Sequence, residues 1–194
     1  GDLRVGDRAR DPVLVVAEDG SAVVPLLGGL GGVNVLAREI GDALNTKPAI
    51  TTSGELRFGT CLLNPPPGYS LADVEQGKKF VSDLLAGESV RVEGDAFWLD
   101  EVDLPLAETS QHVIRVSSRI SETANELLIH PRSVVALIDT ASINNVATDI
   151  EANVHAALQS ASIATDALAC LVADKAHMTS RALHSASEAL DVPL

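Results

Sequence analysis

Gly28-Gly-Leu-Gly-Gly32 stands between an apolar run and a segment of helical spacing. Glycine lets a backbone turn tightly and approach a ligand closely, because no Cβ intervenes. If a helix opens near Gly32, its first amides face that space and attract phosphate or carboxylate. Gly28, Gly29, Gly31, Gly32 and Asn34 are therefore candidate binding residues. The spacing is neither a Walker loop nor a dinucleotide fingerprint. A tight strand-to-helix connection is the competing reading of the same glycines.

The five histidines are His112, His130, His155, His177 and His184. His177 and His184 are seven apart and could share a helix face, but a metal site usually needs three or four ligands. Cys61 and Cys170 form neither a Cys-x-x-Cys pair nor a zinc pattern. The expectation is no metal and no cofactor. No Gly-x-Ser-x-Gly elbow occurs, and spacing alone nominates no nucleophile. Asp95, Asp100, Glu101 and Asp103 read as a solvated face.

The positions that could bear chemistry need a frame. With 194 residues there is room for one large domain or two small ones. Hydrophobic residues are 46% and aromatics only 3%, so the core must be built from Val, Leu, Ile and Ala. The formal charge of −13 disfavours nucleic acid and anionic membranes as partners. No apolar stretch approaches the roughly 20 residues that span a bilayer. No secretory signal pattern opens the chain, and two lone thiols suit a reducing compartment, so the expected location is cytoplasmic. A chain that opens on Gly1 and a charged stretch is expected to be a segment of a longer polypeptide, or to carry a cloning scar at Gly1.

Val13–Ala17 and Ala22–Leu27, separated by Glu18-Asp-Gly20, read as a hairpin, with Pro25 suited to an edge. Val33, Leu36, Ala37, Ile40 and Leu44 predict a helix face, ending near Asn45 and Pro48. Residues 49–52 read as a strand. Ser70-Leu-Ala-Asp73 resembles a helix start, with Val74, Val81, Leu84 and Leu85 facing inward. Val90–Gly94 and Val113–Val116 read as strands, separated by an acidic, irregular stretch. Glu126–Ile129 and Ser133–Ile138 are two more. Thr148-Asp-Ile-Glu151 matches a capping box before an apolar face of Ile150, Val154, Ala157, Leu158 and Ala161. Leu168–Ala173 is a short strand or helix, and Leu183, Ala186 and Leu190 mark a last helix. The alternation predicts an α/β fold: two α/β units with mostly parallel or mixed sheets flanked by helices. The expected division is residues 1–120 and 121–194.

Several stretches together resemble a known family. Residues 23–40, from Val23-Val-Pro-Leu-Leu through the glycines to Asn34-Val-Leu-Ala37, are followed by Pro48-Ala-Ile-Thr-Thr52. This order is similar to the amino-terminal signature of the CbiG-type cobalt-precorrin-5A hydrolases. Leu128-Ile-His-Pro-Arg-Ser133 resembles the start of that family's carboxy-terminal domain, and Glu188–Leu194 a segment late in it. Glu55–Gly59, Pro65–Gly68 and Leu84–Glu88 resemble the version fused to a precorrin-3B C17-methyltransferase. The family's first strand and helix are lacking, and the resemblance implies a methyltransferase beyond Leu194.

The resemblance implies a role in cobalamin (vitamin B12) biosynthesis, acting on or binding a precorrin or cobalt-precorrin. The family activity opens a δ-lactone on the corrin ring and releases acetaldehyde. It adds Thr51, Thr52, His130 and Arg132 to the candidate substrate-binding residues. Arg38, Arg57 and Arg119 join Arg132 as possible partners for precorrin carboxylates. Leu30 stands where the family has His. Ala136–Asn145 replaces a Gly-x-Gly-Cys-x-x-Gly stretch, and the segment around Lys175–Ser180 replaces an Asp-Leu-Lys-Ala-Asp-Glu stretch. These departures imply eroded hydrolase activity. The alternatives are a non-catalytic scaffold that docks the methyltransferase, or an unrelated nucleotide-binding domain.

Overall fold

The computed structural model describes residues 12–28, 32–50, 53–139 and 149–194. Strands β1 (Val13–Val16) and β2 (Val23–Leu27) form the expected antiparallel hairpin. Gly20 closes it at φ 71°. Pro25 lies opposite Leu14 in a sheet that has two strands among the described residues, so its missing N–H can face away from the ladder. Helix α1 (Val33–Leu44) packs on the hairpin and ends at Asn45, which takes a left-handed φ of 52°.

The buried face of α1 is Val33, Asn34, Ala37 and Gly41. Leu36 and Leu44, expected inside, are 40% and 43% exposed. The chain beyond Asn45 folds back across the helix, and a Cβ on Gly41 would lie 2.5 Å from the Thr46 carbonyl oxygen. Only small side chains admit that approach, so the buried stripe is displaced from the one that hydrophobicity alone marks. Ala49 donates to the Val23 carbonyl at 2.8 Å, yet Ala49 and Ile50 form no strand. The rest of the strand expected at 49–52 lies outside the described residues.

After the short helix α2 (Ser53–Phe58) comes a four-stranded mixed sheet, in the order β3, β6, β5, β4. It comprises β3 (Tyr69–Leu71), β4 (Arg91–Glu93), β5 (Val113–Val116) and β6 (Glu126–Pro131). β3 runs antiparallel to β6, and the other pairs are parallel. Helix α3 (Val74–Leu85) covers it. The core is Phe80, Leu84, Val90, Leu99, Ile114, Leu127 and Ile129. Gly77 brings α3 close to the sheet, since a Cβ there would sit 2.7 Å from Leu63 Cδ2 and 3.2 Å from Leu127 Cδ1.

The cap of α3 is Asp73, whose Oδ1 accepts from the amides of Glu75 at 2.8 Å and Gln76 at 2.9 Å. Ser70, expected in that role, pairs with His130 inside β3. Val74 and Leu85 are exposed, because Gly77, Phe80 and Leu84 hold the inner face.

Beyond β6 the chain enters β7 (Val134–Leu137), which pairs in parallel with β8 (Leu168–Val172). Helices α4 (Ile150–Ser160) and α5 (Arg181–Leu190) pack with this pair around Ile150, Val154, Leu158, Leu171, Leu183 and Leu190. Asp149 caps α4 by accepting from Ala152 N at 3.0 Å. Thr148, the expected cap, lies outside the described residues. β6 sits in mid-sheet, so the sheet takes strands from both sides of residue 120. Backbone bonds from Ile120 to Ser162, Ala164 to Ser118 and Ser133 to Ala167 tie the last part to it. The architecture is α/β with mixed and parallel sheets. Among the described residues, no helix is long and apolar enough to cross a membrane.

Candidate functional site

Gly32 precedes α1 with φ 83° and ψ 9°, a left-handed conformation that suits glycine. Gly28 has φ 88°, and its carbonyl accepts from Val33 N at 3.2 Å. The helix thus begins by folding back on the end of β2. The Gly32 carbonyl accepts from Leu36 N at 3.0 Å. Gly29, Leu30 and Gly31 lie outside the described residues, as do Thr51 and Thr52.

Gly32 opens onto a groove of about 780 Å³. One wall is α1, through Val35, Leu36 and Glu39. The opposite wall is built from Asn64, Pro65, Pro66 and Pro67, with Tyr69 and Trp98. A Cβ on Gly32 would stand 3.8 Å from Asn64 Nδ2, so the two walls approach each other there. The prolines limit the backbone of that wall, and Tyr69 N closes a turn onto the Pro66 carbonyl at 3.1 Å.

The chain has one Trp and one Tyr, and both line this groove. Their rings meet edge-on, with centroids 6.0 Å apart and planes at 64°. Trp98 Nε1 is buried and makes no hydrogen bond among the described residues. An indole N–H can only donate, so it needs an acceptor when shielded from water. Glu39 and Glu101 supply the carboxylates of the groove, and among the described residues no Lys, Arg or His lines it.

The other sequence candidates lie elsewhere. Asn34 is buried at the start of α1 and does not line the groove. His130 is buried in β6, with Nδ1 2.7 Å from the Ser117 carbonyl oxygen, and borders a separate cavity. Arg132 is exposed; Nη1 donates to the Asp191 carbonyl at 3.4 Å. Arg57 pairs with Asp103 at 2.6 Å, and Arg119 donates to the Ala161 carbonyl at 3.0 Å. Arg38 does not line the groove. The four arginines therefore do not converge on it.

Sequence reasoning missed Asn64, Tyr69 and Trp98. Spacing could not find them, since they lie in a loop, an edge strand and a single 3₁₀ turn. Their rarity is a usable signal: aromatics are scarce enough here that the lone Trp and Tyr stand out. Among the described residues, no three His, Cys, Asp or Glu side chains cluster as a metal site.

Residues 4–55 match the family described as cobalamin synthesis G N-terminal, a segment that includes α1 and its preceding turn. A crystal structure of a cobalamin biosynthesis protein G homolog from Sulfolobus solfataricus aligns at 17% identity and a TM-score of 0.33. The alignment covers 94% of this chain and 55% of that one, so the chain spans little more than half of that relative. Superposition at this level carries no structural weight. No curated protein matches the chain significantly. The match thus marks residues 4–55 as a CbiG-type amino-terminal segment.

Proposed function

We propose that the chain serves cobalamin biosynthesis by binding a precorrin intermediate in the groove at the start of α1, with its lactone-hydrolase activity eroded. The observation that carries this reading is the groove itself, one wall of which belongs to the segment matched to the family. Its volume of about 780 Å³ falls within the usual span of ligand sites. Apolar surface from Val35, Leu36, the prolines and the aromatic pair suits the flat face of a tetrapyrrole. Trp98 Nε1 and the Asn64 amide are donors for its carboxylates.

The absence of Lys and Arg from the described lining restricts the pose. Glu39 and Glu101 would repel carboxylates, so the acidic side chains of the ring should reach the donors or point outward to water. Among the described lining residues no histidine is positioned for acid–base work on a lactone. That supports binding over turnover.

The test is a titration with a coloured precorrin, followed through Trp98, whose fluorescence reports on this groove alone because the chain has no other Trp. Saturable quenching is expected. Trp98→Phe should weaken binding about tenfold, the equivalent of one hydrogen bond, with affinity read from absorbance and folding from circular dichroism. Quenching by nucleotides and not by precorrin would overturn the reading. Thermal stabilisation by a precorrin-3B C17-methyltransferase, with none from precorrin, would favour the docking scaffold instead.

A further inference from the structure

β4 (Arg91–Glu93) is the last strand of the four-stranded sheet, with β5 on one side. Backbone polar groups of successive residues in a strand face opposite sides. Arg91 N donates to the His112 carbonyl at 3.0 Å, on the β5 side. Val90 therefore faces outward, where its N–H donates to the Pro105 carbonyl and its carbonyl accepts from Ala107 N, both at 2.9 Å. Val92 faces outward too, and there its N–H and carbonyl have no partner among the described residues.

A groove of about 500 Å³ runs along this edge, with residues 95–108 forming its far wall. Val90, Ala96 and Leu99 form an apolar floor continuous with the core. The 3₁₀ turn Phe97–Leu99 buries Leu99 and leaves Phe97 86% exposed. Leu106 is 67% exposed and Val92 37%. Large apolar side chains held in water beside an unpaired strand edge mark an interaction surface.

The charge of the lining selects the occupant. Asp95, Asp100 and Glu108 line the groove without an ion pair among the described residues. Arg91, the cation of the described lining, is already held by Glu93 and by the Ser110 carbonyl. A second copy of this chain would bring the same carboxylates and a further formal charge of −13, so it is disfavoured. A cationic segment is complementary.

We propose that the β4 edge docks an extended segment of a partner protein in which apolar residues alternate with Lys or Arg. The segment continues the ladder at Val92, covers Phe97 and Leu106 with its apolar side chains and sets its cations against Asp95, Asp100 and Glu108. Of the described lining residues, Val102 alone also borders the groove at α1, and the proposal stands independently of the precorrin reading.

The test is fluorescence anisotropy of a labelled synthetic peptide of alternating lysine and valine, titrated with the full chain at physiological salt. Saturable binding is expected, with none for the matching peptide of glutamate and valine. Methylating the backbone nitrogens along one edge of the lysine peptide blocks ladder bonds and should weaken it about tenfold, as should Phe97→Ser on an exposed side chain. Leu137→Ser, at an apolar residue of β7 that is 78% exposed, should leave binding unchanged. Circular dichroism is the folding control. Undiminished binding of the methylated peptide, unchanged affinity in Phe97→Ser, or an equal loss in Leu137→Ser would overturn the site. Sedimentation showing a dimer that Phe97→Ser dissolves would give the edge to a second copy and overturn it as well.

Discussion

At the scale of single residues, the least expected feature is the charge ladder across the sheet. Arg91 and Arg115 both donate to Glu93, and Arg115 Nε donates to Glu126 Oε2 at 2.7 Å. The two ends differ in exposure: the Glu126 side chain is 2% exposed and that of Arg115 32%. The Glu126 carboxylate holds the Arg115 guanidinium above its ordinary pKa. Removing the arginine strands a buried carboxylate, whereas removing the acid leaves an arginine that still has Glu93 and water. Arg115→Met should therefore cost about 3 kcal/mol, and Glu126→Gln clearly less, in urea unfolding. Equal losses would show that burial does not govern this pair. A milder effect belongs to Asp83. The Lys79 ammonium, donating to it at 3.1 Å, holds its carboxyl below the ordinary value, and His112 adds a smaller pull. A carboxyl depressed in the folded state contributes fully above its unfolded value of about 4, and loses that contribution as pH falls below it. Asp83→Asn should flatten that part of the acid unfolding curve and leave the neutral part nearly unchanged.

At the scale of elements, helix ends follow local chemistry and helix faces follow their neighbours. Asp73 and Asp149 start α3 and α4 by accepting amides two or three residues on. Asp73→Ala should lower stability by about 1 kcal/mol, measured by thermal unfolding. Ser70→Ala, at the position that the sequence favours as a cap, should cost less, because Ser70 pairs within β3. The face of α1 shows the opposite dependence. Its sequence marks Leu36 and Leu44 for burial, yet Ala37 and Gly41 take the inner stripe because the returning chain passes so close. Leu36 is left free to line the groove.

At the scale of the whole molecule, two hydrophobic clusters share one hydrogen-bonded frame. Phe80 and Leu127 centre the first, and Leu171 and Leu183 the second. β6 runs on into β7, and three backbone bonds join Ile120, Ala164 and Ser133 across the parts. Phe80→Ala should cost about 3–5 kcal/mol and Leu171→Ala about 2–5. Both should move one common unfolding transition, followed by circular dichroism. Two transitions, each moved by only one of the variants, would show that the clusters unfold separately.

The sequence by itself determined the elements that depend on near neighbours. The hairpin around Gly20, the glycine turn into α1, the stop at Asn45, the buried runs of β5 and β6 and the inner face of α5 all follow from period, cap and turn chemistry. These signals act within a few residues, so one chain suffices to read them. Tertiary structure alone decided what lies opposite what. Gly32 meets Asn64 across the groove, Trp98 reaches Tyr69, and Ser117 holds His130, because strand pairing and packing bring distant segments together. Spacing along a chain carries no record of such encounters. Proximity across 13 residues for Ser117 and His130 depends on β5 and β6 lying side by side, which the burial of their alternate faces enforces.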